Sequence, residues 1–569
     1  MLKGSTDYLR LAAALLALLL PSCAGQVAPP GGPPDTVPPR IIRTIPDTNA
    51  VGVWPERIVI EFSEYVDRRS VEESIFLSPD LGALEFDWSG RELEIAFTER
   101  LRDSVTYVLN VGTDVVDIRA GNRMASGFSL AFSTGPKIDN AAIAGRVFDA
   151  SPEGVLVFAY RLDGRNPDTL DPALVRPDYI TQTGREGAFL LSHLADGLYR
   201  LIAVRDQYKN LLYEKQVDAY GVARRDYSAN ASDQETGSIW IRLAREDTTR
   251  PFLSSVSPAG GRQILLRFSE PLDSLSLLGT VVEVRDTLSE QPVPVQALYP
   301  LGPGWLELGA LLEMMPVEGR AYRVTVGGAK DTAGNLLDDQ HAQLLFEATG
   351  ERDTIRPRVD FDALSDSVRA VDAGAGFLMK FSEPVDTLAV LSALSLSDTS
   401  GTRIELDHRW QSLTRLLLLP TRPLRGASWY LLSTVLDGVL DVDGNRWADT
   451  TLVLHFMTLD PRETGEITGR IVDRMGEGLG GALYIEAVPL SRAGALSSMV
   501  LRTPGMFALR EVREGRYRLE AFEDADSSGS YSYGLPFPFV PSERFSVHAD
   551  TLRVRARWTF ENADLMLGP

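Results

Sequence analysis

The sequence predicts an all-β fold: a tandem array of five β-sandwich domains behind a signal peptide. Three observations carry the prediction. Two kinds of unit recur along the chain, each about 100 residues long, a common domain size. Within the units the apolar periodicity is two, as in 264–268 (ILLRF) and 199–204 (YRLIAV). These short runs lie between Gly, Pro, Asp and Asn clusters, the pattern of sandwich strands and their turns. No window carries a long apolar stripe of period 3.6, which argues against a helical fold.

Composition narrows the function classes. The chain has 569 residues, with 57 Lys and Arg against 78 Asp and Glu, a net charge of −21. Apolar residues make up 44% and charged residues 24%, enough apolar material for several cores. The acidity argues against nucleic acid as a partner, because phosphate binding needs a basic footprint. One cysteine and five histidines exclude an intrachain disulfide framework and a thiolate zinc site.

Residues 1–22 read as a signal peptide. Lys3 and Arg10 precede an unbroken apolar run at 11–20 (LAAALLALLL). Ten residues cannot cross a hydrocarbon core of roughly 30 Å, and the length suits a signal h-region. Leu20-Pro21-Ser22-Cys23-Ala24 follows. This resembles the lipobox of bacterial lipoproteins, which implies diacylation of Cys23, cleavage before it, and acylation of the new amino terminus. The alternative is an ordinary secretory signal with an incidental cysteine. Two or three acyl chains would hold the protein firmly to a lipid bilayer. By the same resemblance, Ala24 in place of an inner-membrane retention aspartate implies the outer membrane. Which face it occupies, periplasmic or cell-surface, stays open. Residues 23–37 form a Pro/Gly-rich tether.

One unit, A, appears at 38–136, 247–351 and 352–461. Its lead-in is Asp35 to Pro39 (DTVPP), Asp247 to Pro251 (DTTRP) and Asp353 to Pro357 (DTIRP). An apolar strand then ends in Phe62-Ser63-Glu64, Phe268-Ser269-Glu270 and Phe381-Ser382-Glu383, with Asp67, Asp273 or Asp386 three residues on. Later come a Tyr strand, a Gly-Asn turn at Asn122, Asn335 and Asn445, and a closing strand with Phe132, Phe346 and Phe456. The other unit, B, appears at 137–246 and 462–569. Gly145-Arg146, Gly187 and Gly197 to Leu201 match Gly469-Arg470, Gly505 and Gly515 to Leu519. The chain order is therefore A-B-A-A-B. A short helical turn is expected at 68–74, with Asp67 as its N-cap.

On these residues unit A resembles the bacterial Ig-like domain of the S-layer (SbsA) type. Its first copy differs in carrying Tyr65 where the others have Pro271 and Pro384, and in an extra residue between Asp117 and Gly121. Unit B resembles the carboxypeptidase regulatory-like, or transthyretin-like, sandwich. The tether and domain order are similar to a family of Ig-like lipoproteins of Gram-negative bacteria. Neither resemblance implies catalysis.

Candidate chemistry is sparse. Glu64, Glu270 and Glu383 with Asp67, Asp273 and Asp386 are carboxylate pairs of the kind general acid–base catalysis uses. They recur in every copy, whereas a catalytic pair is expected once, so a strand-end structural role is favoured. The Asp-x-x-Gly-Asn turns, richest at Asp441-Val442-Asp443-Gly444-Asn445, offer oxygens to calcium but equally make tight turns. Asp524, Asp526, Ser528 and Ser530 resemble the front half of an EF-hand-type loop. Leu535 stands where its bidentate Glu belongs, and Asp206 to Asn210 in the other copy lacks the pattern, so an acidic turn is favoured. If calcium binds, this loop is the first choice; otherwise no cofactor is expected. The aromatics Tyr531, Tyr533, Phe537 and Phe539 stack on a sugar or cover a core end.

The expected protein is a non-enzymatic, outer-membrane-anchored lipoprotein, its sandwiches strung as an extended structural or adhesive arm. Its partners are the bilayer through Cys23 and an envelope or extracellular protein or glycan. The alternative is a carbohydrate- or protein-binding lipoprotein that uses loops of its last domain; an enzyme is the third.

Overall fold

The computed structural model describes residues 35–230, 239–302, 304–362, 364–365, 367–436, 438–447, 451–491 and 495–568. Cys23 and the signal segment lie outside them. The chain divides into two compact units at Asp139. No helix among the described residues is long and apolar enough to cross a membrane.

The first unit is one sandwich. Its first sheet runs Ile41–Ile45, Arg57–Phe62, Glu92–Phe97, Leu84–Ser89. The other runs Ala50–Val51, Phe128–Ser133, Thr106–Val111, Ile75–Ser78. Alternation does the sorting: in Arg57–Phe62, Ile58, Ile60 and Phe62 point inward and are fully buried. They meet Tyr107, Leu109 and Phe132 of the facing sheet in one core.

The second unit, 140–568, holds four further sandwiches among the described residues, each built from two mainly antiparallel sheets. Two repeat the first: strand Gln263–Phe268 leads one and Phe377–Phe381 the other, and each core again mixes both sheets. The others are the two units B. In the second of them, Thr464–Asp473 pairs Gly505–Arg513 in one sheet and Ala482–Pro489 pairs Gly515–Asp524 in the other.

The tyrosines and phenylalanines that mark unit A in sequence have one physical job. Tyr107, Tyr322 and Tyr430 stack on Phe132, Phe346 and Phe456, with ring centroids 5.6, 5.5 and 5.7 Å apart. Each hydroxyl accepts the backbone N–H five residues upstream, from Arg102, Val317 and Arg425, at 2.7–2.9 Å. The phenol therefore fills the core with its ring and closes a chain corner with its polar end. Unit B does likewise in another register: Tyr199 and Tyr517 donate to the carbonyls of Ala195 and Arg513.

The helical turn of the first unit A forms at Arg68–Glu72, with Asp67 accepting from Ser70 N–H. Its counterpart in the third copy is Thr387–Ala393, capped by Asp386.

Candidate functional site

The lead-in Asp, the strand-end Glu and the turn Asp of each unit A are far apart in sequence and meet in space. The strand ending in Phe-Ser-Glu is antiparallel-bridged to the turn: Val66 to Asp117, Leu272 to Asp331, Val385 to Asp441. The lead-in is tied to the same strand end. Ser63, Ser269 and Ser382 each accept, through Oγ, the backbone N–H of Arg40, Phe252 and Arg358, the residue after the lead-in proline. The turn Asn completes the knot. Asn122, Asn335 and Asn445 donate through Nδ2 to the backbone carbonyls of Asp35, Asp247 and Asp353 at 3.1, 2.9 and 3.2 Å.

This knot gathers carboxylates. In the third copy, oxygens of Asp353, Glu383 and Asp441 lie within 4.8 Å of one another, and the three residues are only 8%, 7% and 6% exposed. Asp247, Glu270 and Asp331 make the same group in the second copy. In the first, Asp117 and Asp35 raise the pKa of Glu64, after the effect of its burial. Two unit charges this close repel by roughly 3 kcal/mol at an effective dielectric of about 20. Burial first, then the charges of Asp353 and Asp441, push Glu383 up to about 9. The turn acids are well served by donors: Asp441 accepts the N–H groups of Asp443 and Asn445 and the side chain of Asn445.

The pairing suggested by sequence spacing is therefore corrected. Glu64, Glu270 and Glu383 face the lead-in and turn acids, not Asp67, Asp273 and Asp386. Those three aspartates spend their carboxylates on the N–H groups of the following turn. Convergence could have been suspected only from the fact that all three acids recur in every copy.

In the last unit B, Asp524 and Asp526 come together with Glu543, which sequence reasoning missed. Their oxygens are already engaged. Asp524 accepts from Ser528 and Gly529 N–H, Asp526 from Ser528 N–H and Ser532 Oγ, and Glu543 from Ala525 and Ser532 N–H. The Ser528 hydroxyl donates to the Ser530 carbonyl at 2.9 Å. The first unit B keeps a matching group, Asp206, Glu214 and Asp218, although its sequence pattern differs. A second buried cluster is fully paired: Arg544 donates to Asp473, Glu523 and the Gly478 carbonyl.

The aromatic stretch turns onto the other unit B. Phe539 lies 3.8 Å beneath the Arg200 guanidinium, and Tyr531 lies 5.0 Å from that of Arg242. Tyr531 also packs on Tyr533, Phe522 and Phe545. Lys215 Nζ donates to the Phe537 carbonyl and Tyr220 OH to that of Gly534, at 3.4 and 2.8 Å. Arg242 donates to Glu520 at 2.5 Å, Arg225 to Glu477 at 2.8 Å, and Arg224 pairs with Glu477 as well. Phe148, Trp240 and Phe545 form an aromatic knot across the junction. The expected extended arm is thus corrected for 140–568: its first and last sandwiches are in contact.

Residues 35–134 match the family described as the bacterial Ig-like domain. The first sandwich is thus similar to the bacterial Ig-like domain. The second and third units A carry its lead-in, Phe-Ser-Glu and Gly-Asn positions. No curated protein matches the chain. Among solved structures, it is similar to the N-terminal part of the bacterial S-layer protein SbsC, at 14% identity over 37% of this chain and 44% of that one, TM-score 0.16. The chain thus covers under half of that structure. SGBP-B of the Bacteroides ovatus mixed-linkage glucan utilization locus, solved with a mixed-linkage heptasaccharide, matches at 14% identity over 66% and 85%, TM-score 0.17. An L,D-transpeptidase from Mycobacterium smegmatis matches at 16% over 31% and 78%, TM-score 0.14. At such scores none of the three bears on function.

Proposed function

We propose that this chain is a non-enzymatic cell-envelope lipoprotein, anchored in the outer membrane through acylated Cys23, with a structural or adhesive role. The observation that carries this reading is repetition. The lead-in, Phe-Ser-Glu and turn residues of unit A occur three times in the same places, their acids gather in the second and third copies, and each unit B has its own acidic loop group. An active site is a single constellation of unlike groups, with a base, its orienting partner and a place for the reacting atom. Repeated acids that tie a lead-in to a turn are architecture. The lipobox-like Leu20-Pro21-Ser22-Cys23 supports the anchor, and the placement of the only cysteine there supports it further. Envelope protein or glycan partners are proposed for the exposed loops. The four aromatics of the last domain are not favoured as the ligand contact, since Tyr531 and Phe539 already have intramolecular partners.

Labelled palmitate and membrane fractionation test the anchor. The wild-type chain is expected to take up label and sediment with outer membranes, and Cys23→Ala to do neither. Label retained by Cys23→Ala would contradict the reading. Protease shaving of intact cells then separates the roles: digestion favours adhesion, and protection favours a periplasmic scaffold.

A further inference from the structure

We propose that the lead-in end of the first sandwich rests on a lipid bilayer, with Val37, Tyr65 and Ile118 lodged in its headgroup region. The three residues come from separate segments and meet at the knot. Ile118 N–H donates to the Tyr65 carbonyl at 3.2 Å, and Asn122 Nδ2 donates to the carbonyls of Asp35 and Val37 at 3.1 and 3.4 Å. Val37, Tyr65 and Ile118 are 65%, 54% and 62% exposed. Single apolar residues scattered over a surface need no explanation, but a group of them gathered at one end of a domain marks a contact site.

The patch is a departure of this copy from the repeat. Where it has Tyr65, the other copies have Pro271 and Pro384, and Ile118 lies in a turn one residue longer than theirs. In the second copy, Thr249 and Thr332 stand where the first has Val37 and Ile118. In the third, the same end is a domain junction. Arg262 and Gln263 of the preceding unit A donate to the Val442 carbonyl and to Asp353 and Asp443, and Pro384 is buried. An end that docks a neighbour in the third copy is thus apolar and exposed in the first.

The chain in front of the patch says what covers it, and here the inference rests on the anchor at Cys23. Residues 24–34 (AGQVAPPGGPP) join Cys23 to Asp35 and carry no charge. Eleven residues reach roughly 35 Å as an extended Pro-rich chain and about 20 Å as a coil. The acyl chains therefore hold this end close to the bilayer, and a contact made there is intramolecular, so a weak one suffices. The side chains suit the place. A tyrosine has an apolar ring and a polar tip, the combination favoured at membrane interfaces. Arg40 and Arg119 are exposed beside the patch, and such side chains lay their stems along apolar surface while the guanidinium meets lipid phosphate. The aspartates of this end are engaged: Asp35, Asp67 and Asp117 accept the N–H groups of Val37, Ser70 and Ala120.

Spin labels in the acylated full chain, reconstituted in vesicles of phosphatidylethanolamine and phosphatidylglycerol, test it. Cys23 is the only cysteine and acylation consumes its thiol, so Ile118→Cys carries the single label. Glu56→Cys is the comparison, an exposed position separated from the knot by the length of strand Arg57–Phe62. The ratio of collisions with oxygen, which partitions into lipid, to collisions with a water-soluble nickel chelate is expected to be severalfold higher at 118 than at 56. Adding Val37→Asp and Tyr65→Asp is expected to bring it down to the level at 56. Tyr65→Cys reads the same patch should Ile118→Cys fold poorly. Equal ratios at 118 and 56, in chains that float with the vesicles, would overturn the inference and leave the anchor standing. A label at 118 shielded from oxygen and nickel alike would mean that protein covers the patch, a second copy or the tether, and would overturn it too. Chains that do not float would overturn anchor and inference together.

Discussion

Glu383 is the residue at which the sequence's local preferences and its tertiary setting pull hardest against each other. It ends a strand whose Phe381 is buried in the core, so its own backbone is fixed and its carboxylate is carried toward Asp353 and Asp441. Tyr299 and Asp443 also feel this cluster, and Arg262 pairs with Asp443. Burial and the two acids hold the pKa of Glu383 near 9, against an ordinary value of 4.5. The folded chain then keeps a proton that the unfolded chain releases, so stability falls as pH rises from about 4.5 to 9. The steepest slope one such group can give is about 1.4 kcal/mol per pH unit. Denaturant midpoints should be lower at pH 8 than at pH 6, and Glu383→Gln should flatten that slope. An unchanged slope in the variant would remove Glu383 as its source. Spacing in sequence could not supply this. The nearest acid, Asp386, looked like the partner, but its carboxylate is closer to the N–H groups of Leu388 and Ala389 and is spent there. Asp353 and Asp441 lie 30 and 58 positions away, and only the folded strand bridge brings them in.

At the scale of elements, much of unit A was legible. The strands at Thr106–Val111, Ala321–Gly327 and Trp429–Val435 follow from period-two runs, and the helical turn after Asp67 from its cap. The reason is local: alternation and capping are decided by residues within a few positions of each other. What ties the elements to one another was visible as repetition but not as a bond. Asn445 was readable as a turn residue. That it also donates to Asp353 O, 92 positions back, was not. Asn445→Ala loses that bond and the one to Asp441 Oδ2 while leaving the turn glycine in place. Each buried hydrogen bond is worth about 1 kcal/mol, so a loss of about 1–2 kcal/mol is expected, read as a melting point several degrees lower. No change in melting would mean that the lead-in is held by its serine contact alone.

For the whole molecule, the repeats in the sequence do not reveal the contact between the two units B. Repeats announce themselves through what copies share. A contact between copies depends on what they do not share, here Arg242, Trp240, Glu477 and the aromatic stretch after Ser530. The same stretch left two readings open, a sugar platform or the cover of a core end, because a sequence cannot say whether a ring faces solvent or another domain. The net charge of −21 likewise looks global, yet part of it is folded into repeated knots at the lead-ins. The second unit closes on itself where the two units B meet. Hydrogen exchange across 531–545 in the full chain tests that closure most directly. Arg242→Glu, facing the nearly buried Glu520, is expected to raise exchange there by breaking a partly buried pair, and adding Glu520→Arg is expected to restore protection. Exchange in this stretch that ignores both substitutions would contradict the account and return the chain to a string of independent sandwiches.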